Sequence, residues 1–179
     1  NVRIYHCDQK RYDPTNTTGG PAGVQVNLLF KEVTGGVIRD CEVAYNLGEG
    51  IALALGSKGC LIEGCVVHTN LHMAIVLNGS QNNIIRNNFV YHTGDNEFTQ
   101  SKSGEPPTGI TIADEKQRAD KHGLSPSSGN HIYNNVVVGM SVNFNCRESK
   151  NSGGALIDTL VANNTFVNAT NINVKIPAA

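Results

Sequence analysis

The sequence predicts an all-β chain wound as a parallel β-solenoid of about six coils, and three observations carry that expectation. Two short apolar phrases alternate from one end to the other. The strand-like segments have the period of two that a pleated strand imposes, and the residues between them are those of tight turns. Of the 179 residues, 39% are hydrophobic and 16% charged, with no Trp. That length is enough for one domain with a real core, and residues 1–179 are expected to form it together. The composition favours Asn and Gly over Lys and Glu, which suits frequent turning and not helix formation.

The first phrase is an aliphatic residue, two variable residues, Cys or Asn, and then a short apolar strand. It reads Ile4-Tyr5-His6-Cys7, Ile38-Arg39-Asp40-Cys41, Ile62-Glu63-Gly64-Cys65, Ile85-Arg86-Asn87-Asn88, Ile132-Tyr133-Asn134-Asn135 and Val161-Ala162-Asn163-Asn164. The starts Ile38, Ile62 and Ile85 lie 24 and 23 residues apart, which sets the basic coil; wider gaps mark loops inserted between strands. The second phrase alternates strictly, as in Ile51-Ala52-Leu53-Ala54-Leu55, Ile75-Val76-Leu77, Ile110-Thr111-Ile112 and Ile172-Asn173-Val174. Several strands per turn with no helical segment make a solenoid whose rungs stack about 4.8 Å apart.

The repeat sorts residues into columns. Val43, Val67, Val90, Val137 and Phe166 form an inward stack, while Arg39, Glu63 and Arg86 form an outward ladder of alternating charge, each pair of little worth alone. Cys7, Cys41 and Cys65 fall at one position of the first three coils. They read as a column of small buried thiols or as a redox or metal ladder. A Cys41–Cys65 disulfide is also open, because the rung spacing lies inside the Cα separation that such a bond tolerates.

The repeated phrase, clearest in Ile85-Arg86-Asn87-Asn88-Phe89-Val90 and Ile132-Tyr133-Asn134-Asn135-Val136-Val137, resembles the right-handed parallel β-helix superfamily of pectate lyases, polygalacturonases and related polysaccharide-processing proteins. The resemblance covers nearly all of the chain. It implies that Asn88, Asn135 and Asn164 stack inside a tight turn as an asparagine ladder. It also implies a substrate groove over the sheet of the second phrase, whose outward residues would include Asn78, Thr111, Asn143 and Asn145. The fold alone does not carry an activity, since one fold hosts many functions.

The rung Thr108 to Asp114 carries long insertions on both sides, 95–107 and 115–129, which would wall a groove. Asp114 and Glu115 are the carboxylates there, Lys116 is a neighbouring candidate, and Arg118 a basic contact for an acidic sugar. Glycoside hydrolysis needs two carboxylates, one as acid and one as base or nucleophile. His72 and Asp95 align on adjacent rungs; a carboxylate-oriented imidazole can act as a general base, or can simply hold a turn. The resembled lyases hold calcium with several groove carboxylates, a cluster this sequence does not display, so no cofactor is expected, with calcium the one left open.

Composition narrows the partners. A net charge of -1 leaves no basic face for nucleic acid, and no apolar run approaches the 18 residues of a membrane span. The five Cys include no CxxC pair, and the His lack zinc-ligand spacing, so no metal centre is expected. The expectation is a secreted or cell-surface domain that binds or cleaves a polysaccharide or other glycan, as a lyase or hydrolase if it is an enzyme. The alternative is a non-catalytic structural solenoid. The first rung starts near residue 2, and the last strand lies close to Ala179, with no cap in view. Bare ends would call for end-to-end self-association or further coils.

Overall fold

A computed structural model describes residues 3–5, 26–99, 104–114, 125–148 and 157–176. Three sheets, parallel throughout, form the walls of a β-helix. Sheet I contains β3 (Val37–Arg39), β6 (Leu61–Glu63), β9 (Ile84–Arg86), β12 (His131–Tyr133) and β15 (Leu160–Ala162). Sheet II contains β1 (Arg3–Tyr5), β4 (Glu42–Ala44), β7 (Val66–His68), β10 (Phe89–Tyr91), β13 (Val136–Val138) and β16 (Thr165–Val167). Sheet III contains β2 (Val26–Lys31), β5 (Glu49–Ala54), β8 (Ile75–Asn78), β11 (Ile110–Asp114), β14 (Val142–Glu148) and β17 (Ile172–Lys175). The six strands in sheets II and III agree with the six coils expected. A one-turn 3-10 helix at Asn96–Phe98 is the single helical segment among the described residues.

Registers bear out most of the columns. Ile38, Ile62, Ile85, Ile132 and Val161 face inward from sheet I. Val43, Val67, Val90, Val137 and Phe166 do so from sheet II. One alignment is corrected. Ile4 pairs with Val43 and not with Ile38, so the first phrase enters the stack in sheet II. Each coil has two inward aliphatic positions five residues apart, and the letters Ile-x-x-Cys fitted the wrong one. Cys7 lies outside the described residues.

The corners explain the composition. Between sheets I and II, Asp40, Gly64, Asn87, Asn134 and Asn163 all adopt positive φ, a column that favours Asn, Asp and Gly. A second such column, Gly35, Gly59, Asn82, Gly129 and Asp158, turns the chain into sheet I. Beside these turns run amide ladders. Asn88 donates from Nδ2 to Asn135 Oδ1 at 2.9 Å, and Asn135 likewise to Asn164 Oδ1 at 2.9 Å, which is the ladder expected from the resemblance. Asn83–Asn130, Asn46–Asn70 and Asn143–Asn173 make three more side-chain pairs of this kind. The ends of the stack differ: Ile38 in the first coil of sheet I is 4% exposed, whereas its counterpart Val161 in the last is 38% exposed.

Candidate functional site

Sheet III is the face on which the expected groove residues meet. Its outward columns are Ala52, Val76, Thr111, Asn145 and Lys175, and beside them Ala54, Asn78, Ala113 and Arg147. Asn78, Thr111 and Asn145 therefore share the face predicted for them. The face is not open, however. From β5 to β11 every outward residue is buried, Thr111 completely, with its hydroxyl 3.0 Å from that of Thr108. Asn145 and the charged Arg147 and Lys175 of the next rungs are more accessible.

Asn143 departs from the expectation. Its side chain is buried, donating to Asn173 Oδ1 at 2.7 Å and to the Val167 carbonyl at 2.9 Å. The strict alternation fails here because this column lines a corner. At Gly109, its neighbour in the rung before, a Cβ would lie 2.4 Å from the Asn143 carbonyl oxygen and 2.7 Å from Val137. The position is inward and crowded, so residue 143 serves the scaffold.

Asp114 is 5% exposed, and its Oδ1 accepts from the Ser127 N–H at 2.9 Å. It fastens residue 127, where the chain returns, to the strand it left, and Ser127 Oγ adds a bond to the Ala113 carbonyl at 3.4 Å. Glu115, Lys116 and Arg118 lie outside the described residues.

The histidine pairing is also changed. His72 Nδ1 is buried and stands 3.5 Å from Glu49 Oε1, an ion-pair distance, with the two side chains 27% and 14% exposed. Asp95 is not its partner. The chain leaves the column at Gly94, where φ is +84°, and Asp95 caps the 3-10 turn by accepting from the Glu97 N–H at 3.0 Å. Glu49 was legible in principle: it precedes His72 by 23 residues, the same interval by which Asp95 follows it. Residues at the start of β5 and just before β8 thus bring a carboxylate and an imidazole together at the edge of sheet III.

The neighbouring titratable groups have structural partners. His68 stacks on Tyr91 with ring centres 4.5 Å apart and sits 3.4 Å from Glu42. Burial, with Tyr45 and Glu42 nearby, pushes the Tyr91 phenol up. His92 accepts the Gly94 N–H on Nδ1 at 2.9 Å, so its Nε2–H donates to the Phe98 carbonyl at 3.1 Å. Burial holds His92 below its ordinary value, partly offset by that carbonyl. On sheet I, Glu63 takes Arg86 Nε at 2.7 Å and Arg39 Nε at 2.9 Å, and the Arg86 hydrogen bond leads the causes that lower its pKa.

Metal donors are sparse. Among the described residues no group of three or more His, Cys, Asp or Glu stands in position to share a metal ion. A three- or four-donor copper or calcium centre does not fit these residues. What remains is a pair of soft donors: Cys41 and Cys65 occupy neighbouring rungs of the corner column below Asn88.

A family model described as periplasmic copper-binding protein (NosD) matches residues 2–177. The chain belongs to this family. Membership and the parallel sheets agree on a right-handed parallel β-helix, as expected. No curated protein and no solved structure matches the chain. No helix among the described residues is long and apolar enough to cross a membrane.

Proposed function

We propose that this protein is a carbohydrate-active β-helix domain working outside the cytoplasm, with its site along the edge of sheet III before Thr108. The Glu49–His72 pair carries the reading. Glu49 faces the buried Nδ1 of an imidazole that is itself a quarter exposed. A carboxylate beside Nδ1 holds the ring in place and leaves Nε2 to act as the general base toward a bound sugar. The Thr108 hydroxyl, Asn145, Arg147 and Lys175 supply polar contacts for hydroxyl and acidic groups along the same sheet.

The test is a panel of acidic and neutral polysaccharides assayed for retention and chain shortening with wild type, His72→Ala and Glu49→Gln. Chain shortening that falls steeply in His72→Ala and partly in Glu49→Gln supports the site. Shortening unchanged in His72→Ala removes the dyad from the reaction, and absence of both binding and cleavage by wild type sinks the reading.

The family description supports a second reading, copper binding. The observation in its favour is the adjacency of the Cys41 and Cys65 thiols, since thiolates select monovalent copper. Titration of the reduced chain with cuprous ion against a chromogenic chelator decides it.

A further inference from the structure

The corner column between sheets I and II changes its chemistry partway along. At Asn88, Asn135 and Asn164 each rung supplies an amide that accepts from the backbone N–H of the rung below and donates to a carbonyl there. At Cys65 and Cys41 the same position carries a thiol. A thiol replaces those bonds only weakly: Cys65 Sγ lies 3.8 Å from the Ile38 carbonyl and 3.4 Å from that of Glu63, and Cys41 Sγ lies 3.2 Å from the Arg39 carbonyl. Two consecutive rungs thus forgo a stabilising residue that the rest of the column uses. A local rule broken without a visible structural return is where a functional or strained position is expected, and the spacing of the thiols is what separates this pair from Cys60.

The spacing says which function. Glu42 and Val66, the next residues along, are in register, and the Val66 N–H donates to the Cys41 carbonyl at 2.9 Å. The two residues therefore sit one rung apart on parallel backbones, which are spaced by about 4.8 Å. That spacing lies inside the Cα separation a disulfide tolerates, yet both cysteines are free thiols. A linear sulfur–metal–sulfur unit with bonds of about 2.3 Å spans about 4.6 Å, close to the spacing of the rungs. The other described cysteines lack this arrangement: Cys60 continues into Asn83, and Cys146 stands beside Ile112.

We propose that Cys41 and Cys65 form a two-coordinate site for cuprous copper in the corner between sheets I and II. The proposal rests on the copper reading above and adds the ligands and the oxidation state. On binding, two S–H bonds break, two copper–sulfur bonds form and two protons leave to solvent; no electrons are transferred. Cys41, half-buried, is the point of entry, and Cys65, 1% exposed, completes the site.

The experiment is an anaerobic competition titration of the reduced full chain with cuprous ion and bicinchoninate, read together with proton release. The variants are Cys41→Asn, Cys65→Asn and, as a control, Cys60→Asn. Each places in a ladder the residue its upper rungs already use, so each keeps the fold, which far-ultraviolet circular dichroism verifies. The expected result is one copper per chain with two protons released. Cys41→Asn and Cys65→Asn should lose affinity beyond the roughly 10–100-fold that loss of a supporting contact produces, while Cys60→Asn matches wild type. Stoichiometric copper with all three variants like wild type would leave the copper reading standing and overturn this site. A wild-type chain that takes no copper from the chelator overturns both.

Discussion

Replacing Asn135 by Ala tests the asparagine ladder at its centre. The side chain is fully buried. Its Oδ1 accepts from the Asn88 backbone at 3.1 Å and from Asn88 Nδ2 at 2.9 Å. Its Nδ2 donates to the carbonyls of Ile85 and Tyr133 at 2.9 and 3.1 Å and to Asn164 Oδ1 at 2.9 Å. A buried hydrogen bond contributes about 1 kcal/mol net, and a group stranded without its partner costs roughly 1–3 kcal/mol. Truncation removes five contacts and strands at least the Asn88 amide, so about 3–5 kcal/mol should be lost, a large share of the roughly 5–15 kcal/mol of a typical domain. Urea unfolding followed by circular dichroism measures it, with Asn145→Ala, on the outer face of sheet III, expected within about 0.5 kcal/mol of wild type. A loss below about 1 kcal/mol for Asn135→Ala, at an unchanged denaturant slope, would refute the ladder as a stabilising element.

Three further outcomes follow from the same reasoning. Gly109→Ala drives a Cβ to 2.4 Å from the Asn143 carbonyl oxygen, and overpacking against backbone should cost about 2–3 kcal/mol; an unchanged melting temperature would contradict the register assigned there. Cys65→Asn extends the ladder by one amide and should add about 1 kcal/mol, read as a higher urea midpoint. His92 is held below its ordinary 6.5 by burial, so the unfolded chain takes up a proton that the folded chain refuses. Stability from this group is complete above pH 6.5, falls as the pH drops through it, and levels off below the lowered folded-state value. His92→Gln should flatten that slope, and a slope unchanged in the variant assigns it elsewhere.

The fold was legible because its determinants are local and repeated. An aliphatic residue at each inward position and an Asn, Asp or Gly at each positive-φ corner recur with every coil, so the 23–24 residue spacing of Ile38, Ile62 and Ile85 fixed strand order and register together. Letters alone failed where two inward positions of one coil resemble each other, as at Ile4, and where a corner interrupts alternation, as at Asn143. The site was harder to read because its partners are set by rung pairing and not by neighbours in sequence. His72 has an acidic residue 23 positions away on either side, and the periodicity treats them alike. What separates them is the path of the backbone: β5 keeps Glu49 in the stack, while the turn at Gly94 carries Asp95 out of it.

The same logic joins the scaffold to its chemistry. A β-helix repeats one environment at every rung, so a residue that differs from its column is judged against several internal copies of its own site. Asn88, Asn135 and Asn164 show what the corner between sheets I and II prefers when stability alone is at stake, and Cys41 and Cys65 depart from it together, on adjacent rungs. In the outward column of sheet III the residues change from small and buried Ala52 and Val76 to the accessible Asn145 and Lys175, again within one column. Both departures mark positions where polar or soft-donor chemistry replaces packing. They lie on different walls of the helix, so variants at Cys41 and Cys65 should leave any carbohydrate activity at His72 unchanged, and variants at His72 should leave copper binding unchanged. Cross-effects between the two sets, measured in the same preparations, would mean that the walls are coupled through the core and would overturn their independence.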